Sequence, residues 1–362
     1  MKLALVEFGT KNHYPLIYNW LAVAELNGWE VILFTTKEIY DATSSSYHDL
    51  PHEKVLFDKM NFFDFIAMKK KLLDYKADQI IFLTMQSKFL EMYFMGFSNL
   101  KYGVTVHNTN VWFKESIVRK PSHIIKRFIR HKIRKHASFF IVNSQNMYES
   151  ALQTDNVKKP ILIMPFSLKR SLEKDHNETD TFTVVYPGSL NIQRKKYLNF
   201  IKLAIDNPQD RFIILGAVSH GDQNKDIYDQ LKNIKNVKLY ETFVSVNEFN
   251  TIMKTADLLF SELVTAFDLT DMSETYGQTK DSGISYLMIE YILPCLLNSE
   301  FQNLPLLENG SLYFSDYTSL QIMYEKVKNT HYRNTIVETM KNDLSTFTIE
   351  YFAKEMLIME NF

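Results

Sequence analysis

Short apolar, β-branched runs alternate with helix-like stretches along the whole chain. In the first half the runs are Lys2–Phe8, Glu30–Thr35, Gln79–Thr84, Tyr102–His107, Phe139–Asn143 and Ile161–Met164. Runs that are apolar throughout belong to strands buried on both faces. With helical segments between them they predict a parallel sheet covered on both sides. The first crossover is the clearest: Pro15 suits a first helical turn, and Leu16, Ile17, Trp20, Val23, Ala24 and Leu26 form an apolar stripe. Asn27-Gly28 then ends the helix.

The polar stretch Lys169–Thr181 has no periodicity and interrupts this rhythm, as a linker would. Beyond it the alternation restarts with Phe182–Tyr186, Phe212–Leu215, Val237–Tyr240, Leu258–Ser261, Cys295–Asn298 and Leu312–Phe314. The expected organisation is therefore a first α/β domain over 1–168, a linker over 169–181 and a second α/β domain over 182–344. A terminal helix over 345–362 carries Phe347, Tyr351, Phe352, Met356 and Leu357, and could cross back to the first domain.

Length supports two domains, since 362 residues exceed one ordinary core. With 46% hydrophobic and 23% charged residues the chain reads as folded and soluble. The opening MKLALVEF is too short for a signal peptide's apolar region, and no run is long enough to span a bilayer, so a cytoplasmic protein is expected. The single cysteine, Cys295, allows neither an internal disulfide nor a cysteine metal site.

Charge changes the picture in one place. Between Lys114 and His136 nine Lys or Arg residues stand against one acid, on a chain whose net charge is −1. After Pro121-Ser122, Ile124, Ile125, Phe128, Ile129 and Ile133 fall on one half of a helical wheel, and Lys126, Arg127, Arg130 and Arg134 on the other. Such a helix suits an anionic membrane surface, but equally a helix packed on its own sheet with a solvated basic face. Nucleic acid is disfavoured, because no aromatic residues are interleaved for stacking.

Three places offer ligand chemistry. The first strand–helix turn, Phe8-Gly9-Thr10-Lys11-Asn12-His13, lies where open α/β sheets bind ligands, yet has one glycine instead of the three a dinucleotide fold needs. It is either a ligand loop or an ordinary polar turn. In the second half, Pro187-Gly188-Ser189 followed by Arg194-Lys195-Lys196 places cations after a glycine turn, which suits a phosphate or a solvated helix start. Lys280-Asp281-Ser282-Gly283 opens an apolar helix whose N-terminus could hold an anion, or Ser282 could simply cap it.

Taken in order, these segments resemble the retaining glycosyltransferases of family 4 and related GT-B enzymes. VVYPGSLNIQRKKYLNFIKLA is similar to the family's glycine-plus-basic strand–turn–helix, and RFIILGAV with Gly216 to its next glycine turn. TKDSGISYLMIEYILPCLLN occupies the place of its donor-binding helix, and VTVHNTNVW that of a strand ending in a cleft histidine. The resemblance implies two Rossmann-like, doubly wound domains facing each other across a cleft. It further implies a nucleotide diphosphate sugar held by Gly9, Gly188, Arg194, Gly216, Lys280, Ser282 and Gly283, with His107 reaching the donor sugar. Asn12 and His13 would lie on the acceptor side.

The family's pair of donor-site glutamates is missing: counted back from Pro294, those places hold Thr279 and Leu287. Glu290 could take over the ribose hydroxyls and Glu274 could reach the sugar. The expected activity is metal-independent transfer of a sugar to a glycan or lipid-linked acceptor in surface polysaccharide synthesis. No cofactor beyond the donor is expected. Two rival readings remain at this stage, a non-catalytic GT-B partner protein and a sugar-nucleotide epimerase.

Overall fold

A computed structural model describes the chain except residues 86–99, 115–120, 155, 170–180, 219–221, 270–271 and 362, and the side chains of 122, 222 and 269. The linker expected at 169–181 therefore lies almost wholly outside the described residues. The chain forms two compact units. The first comprises Met1–Leu168, Asp268–Asp281 and Phe347–Phe362, and the second Lys169–Phe267 and Ser282–Thr346.

The first unit is a seven-stranded parallel sheet of β1 (Lys2–Glu7), β2 (Glu30–Thr36), β3 (Glu53–Phe57), β4 (Gln79–Thr84), β5 (Gly103–Thr105), β6 (Phe139–Val142) and β7 (Ile161–Ile163), in the order β3-β2-β1-β4-β5-β6-β7. Successive β1 residues serve opposite faces. Leu3 and Leu5 join Trp20, Val23 and Ala24 of the helix Tyr14–Leu26, while Ala4 and Val6 join Phe65, Met68, Ile129 and Ile133 on the other side. Strand order reverses between β1 and β4, so their carboxyl ends flank a crevice of the kind that binds ligands in open α/β sheets. The edge strand β3 has no counterpart among the sequence runs. It is mostly exposed, and a half-solvated edge carries little apolar signal.

The terminal helix Ile349–Met356 completes the first unit. Phe352, Ala353 and Met356 are buried beside Trp20 and Val23, and Asn27 Nδ2 donates to Ala353 O at 2.8 Å.

The second unit is a six-stranded parallel sheet of β8 (Thr183–Pro187), β9 (Arg211–Ala217), β10 (Val237–Tyr240), β11 (Leu258–Ser261), β14 (Cys295–Asn298) and β15 (Ser311–Phe314), in the order β10-β9-β8-β11-β14-β15. Tyr186, Phe200, Phe212 and Phe260 interlock at its centre, with ring centroids 5.1–5.5 Å apart where they meet. Cys295 is buried on β14.

Between β11 and β14 the chain adds a two-stranded sheet, β12 (Ala266–Leu269) and β13 (Met272–Thr275). Sequence order groups Glu274 and Lys280 with the second domain, but residues 268–281 cluster with the first unit. Hydrogen bonds between positions more than 100 residues apart hold them there. Thr109 N donates to Thr279 O at 2.8 Å, Asn110 Nδ2 to Ser273 O at 2.8 Å, Asn146 Nδ2 to Gly277 O at 2.6 Å and Ser144 Oγ to Asp281 Oδ1 at 2.7 Å.

The basic helix Pro121–His136 differs from its wheel reading. Ile129 and Ile133 face the sheet, but Ile124, Ile125 and Phe128 are exposed, and Arg130 is buried. Burial, with Arg134 and Arg127 nearby, brings the Arg130 guanidinium down to about 10. Arg134 Nη1 donates to Trp112 O at 2.9 Å. Of the four expected surface cations, Arg130 and Arg134 thus turn toward the protein. Among the described residues no helix is long and apolar enough to cross a membrane.

Candidate functional site

At the carboxyl end of β1 the Glu7 side chain is fully buried and organises the following loop. Its Oε1 accepts from Gly9 N at 2.6 Å and Thr10 N at 3.1 Å, and its Oε2 accepts from Thr84 Oγ1 at 2.5 Å. Thr84 has one hydroxyl hydrogen and gives it to Glu7, so its contact with His13 Nδ1 is one in which the ring nitrogen donates. That fixes the His13 tautomer and leaves Nε2 as an acceptor. Gly9 is required by packing: a Cβ there would lie 2.4 Å from Thr84 Cγ2. Asn12 is exposed, with its backbone N–H on Thr10 Oγ1 at 3.2 Å.

His107 stacks beside His13 with ring centroids 4.6 Å apart. Its Nε2 donates to Leu83 O at 2.9 Å, which ties the ring to β4 through that nitrogen. Burial, then His107 and Lys280, lower His13 to about 2. Burial, opposed by the Leu83 bond and aided by Lys280, lowers His107 to about 4. Both rings are neutral at physiological pH. Lys280 Nζ donates to His107 O at 3.4 Å and accompanies the histidines in the first unit. A concavity of about 460 Å³ opens beside this loop, between Phe8–Lys11, Thr36–Ile39 and Asp58–Met60.

Glu274 is fully buried, and its Oε1 accepts from Val111 N at 2.8 Å at the start of the helix Thr109–Phe113. Burial raises its carboxyl above the usual range. It caps that helix from a buried position.

In the second unit Gly188 has φ +89°, a conformation that favours glycine, and a Cβ on it would lie 2.9 Å from Lys195 Nζ. Lys195 folds over this turn, donating to Pro187 O at 2.5 Å and Ser189 O at 3.4 Å, with its ammonium 4.9 Å from the Tyr186 ring centroid. Burial, then Arg194, brings that ammonium down to about 7. Gly216 backs the turn, since a Cβ there would meet Gly188 C at 2.5 Å. Arg194 is exposed, so the cation at the glycine turn is its neighbour Lys195. The run Arg194-Lys195-Lys196 contained the signal, but one-dimensional order could not choose among the three.

Ser282 is the N-cap of the helix Gly283–Tyr291, accepting from Ile284 N at 3.4 Å, and Gly283 is exposed beside it. Glu290 is buried near the other end of that helix. Glu262 went unnoticed in the sequence. It directly follows β11, Asn199 Nδ2 donates to its two oxygens at 3.1 and 3.2 Å, and burial raises its carboxyl. An acid immediately after a buried strand was the available sign. Among the described residues no three His, Cys, Asp or Glu side chains group as a metal ion would require.

No family model matches the chain, and no curated protein matches it by sequence. Solved structures match its fold over nearly its whole length. HepE of Anabaena, in complex with UDP and glucose, is 15% identical with a TM-score of 0.69, covering 99% of this chain and 98% of that one. Sucrose-phosphate synthase of Thermosynechococcus elongatus is 14% identical with a TM-score of 0.67, covering 100% and 98%. UDP-GlcNAc 2-epimerase of Neisseria meningitidis, bound to UDP-GlcNAc, is 14% identical with a TM-score of 0.58, covering 99% of each. With the two parallel sheets, these likenesses establish the fold as GT-B, two Rossmann-like domains.

Proposed function

We propose that this chain of GT-B fold transfers a sugar from a nucleotide diphosphate donor to a glycan or lipid-linked acceptor in surface polysaccharide synthesis. The observation that carries the reading is Lys195 folded over the Gly188 turn at the carboxyl end of β8. An ammonium held on carbonyl oxygens at a glycine turn can exchange them for phosphate oxygens, and the missing Cβ lets the anion approach. The donor complexes of HepE make a UDP-sugar the first donor to test.

In this reading Lys195, Arg194 and the helix start at Ser282–Gly283 bind the diphosphate and stabilise the charge that grows on it as the glycosidic bond breaks. These groups supply positive charge without a metal. Retention of the anomeric configuration is what the family 4 resemblance implies. On the acceptor side, His13 follows the Phe8–Lys11 loop that lines the concavity, and its Nε2, a neutral acceptor, would take a substrate hydroxyl.

The higher TM-scores with HepE and the synthase than with the epimerase favour transfer over epimerisation. The decisive experiment screens sugar nucleotides by thermal stabilisation and then follows the stabilising one with candidate acceptors. Release of nucleoside diphosphate with the sugar transferred is expected. Interconversion of the sugar without transfer would make the chain an epimerase, and binding without turnover a non-catalytic partner.

A further inference from the structure

We propose that the first unit docks on an anionic lipid bilayer through the N-terminal turns of two helices, Phe62–Tyr75 and Pro121–His136. Phe62, Phe63 and Ile66 of the one, and Ile124, Ile125 and Phe128 of the other, enter the headgroup layer. The surface goes beyond the transfer reading and does not depend on it.

The fold puts these residues at one edge of the same sheet face. Phe65, Met68 and Leu72 on the inner side of the first helix, and Ile129 and Ile133 on that of the second, share one core with Ala4, Val6, Phe82 and Val104 of the sheet. The two helices therefore cover the same face. Each follows the carboxyl end of a strand, β3 or β5, and leads to the start of another, β4 or β6. Both thus run against the strands, and their first turns lie at the carboxyl edge of the sheet. The loop Asp58–Met60 of the concavity leads directly into Phe62.

At that edge apolar side chains stand out in water. Phe63 is 77% exposed, Ile124 56% and Phe128 52%, and three of the four exposed phenylalanines among the described residues are on these two helices. Single exposed apolar residues need no explanation, but aromatic and aliphatic groups gathered at one edge do. Charge identifies the occupant. The helix Pro121–His136 carries six Lys or Arg residues and no acid, and Lys69, Lys70 and Lys71 follow the apolar turn of the other helix. Lys132 lies 5.5 Å from the Phe128 ring centroid, as a cation does when its stem runs along an apolar group. Apolar tips backed by cations fit an anionic bilayer, whereas two copies of so basic a surface repel each other. Since Arg130 and Arg134 turn inward, insertion contributes as well as charge.

The test is co-sedimentation of the full chain with phosphatidylcholine vesicles, with and without phosphatidylglycerol, at low and high salt. Binding to the anionic vesicles that is weakened but not abolished by salt is expected. The double variants Phe62→Ser/Phe63→Ser and Ile124→Ser/Ile125→Ser should each lower partitioning by about tenfold. All four positions are exposed, so an unchanged circular dichroism spectrum and melting temperature should accompany the loss. Three results overturn the proposal: no binding at low salt, complete release at high salt, or unaltered binding in both variants. Concentration-dependent self-association abolished by the same substitutions would reassign the surface to a second copy and also overturn it.

Discussion

Gly188 and Lys195 form a matched pair: a Cβ at 188 would lie 2.9 Å from the Lys195 ammonium, which itself rests on Pro187 O. Glycine keeps the turn open and lets the lysine lie over it. If this is the diphosphate site, Lys195→Ala should raise the Kd for UDP about 10- to 150-fold, the 1.5–3 kcal/mol of a charge-assisted hydrogen bond. Arg194→Ala should cost about 0–1 kcal/mol, since that side chain is exposed. Calorimetric titration checks both, and unaltered affinity in Lys195→Ala removes the site assignment.

The same lysine predicts a pH dependence. Its ammonium is brought down to about 7 in the free protein, and a bound diphosphate favours the charged form. Below pH 7 the group is charged with or without ligand, and affinity should be flat in this respect. As pH rises through 7 the free protein loses the charge and UDP affinity should fall, by up to about tenfold per pH unit. Lys195→Arg, charged throughout, should flatten the curve, and UDP titrations across the neutral and alkaline range read it out.

Glu274 gives a stability prediction. Burial raises its carboxyl above the unfolded value, so the folded state holds the proton more tightly. The sign follows: its contribution favours folding at low pH and is lost as pH rises through the folded pKa. Glu274→Gln keeps an acceptor for Val111 N and removes the charge, so it should lack this pH slope in urea denaturation. Glu274→Ala loses the cap and should cost about 0.5–2 kcal/mol.

His13 and His107 should separate by experiment. His107→Ala is expected to lower stability by about 1–3 kcal/mol, because Leu83 O loses its donor in a buried place. His13→Ala should lower turnover more than donor affinity. Neither histidine should produce a kinetic pKa near 6.5, since burial keeps both neutral. A tenfold loss of donor affinity with turnover kept in His13→Ala would contradict its acceptor-side role.

The returning C-terminal helix should be essential to the first unit. Phe352 is buried beside Trp20 and Val23, and Phe352→Ala should cost about 3–5 kcal/mol, the usual range for such a truncation. Thermal denaturation measures it. A shift no larger than that of a surface substitution would mean the helix is not part of this core.

What the sequence determined by itself is what repeats along one dimension. Buried parallel strands must be apolar throughout, so Gln79–Thr84 and Phe139–Asn143 announce the two-sided sheet without any partner being known. Glycine turns at strand ends and the polar break at 169 divide the chain in the same local way. Tertiary structure alone decided the place of Glu274 and Lys280, whose bonds to Val111 and His107 join positions more than 160 residues apart. It decided, too, that Lys195 rather than Arg194 covers Gly188, that His107 Nε2 bonds to Leu83 O, and that Arg130 is buried while Phe128 is exposed. Periodicity records which face of an element is apolar, whereas these outcomes depend on which distant groups come within about 3 Å of one another, the range at which a hydrogen bond forms.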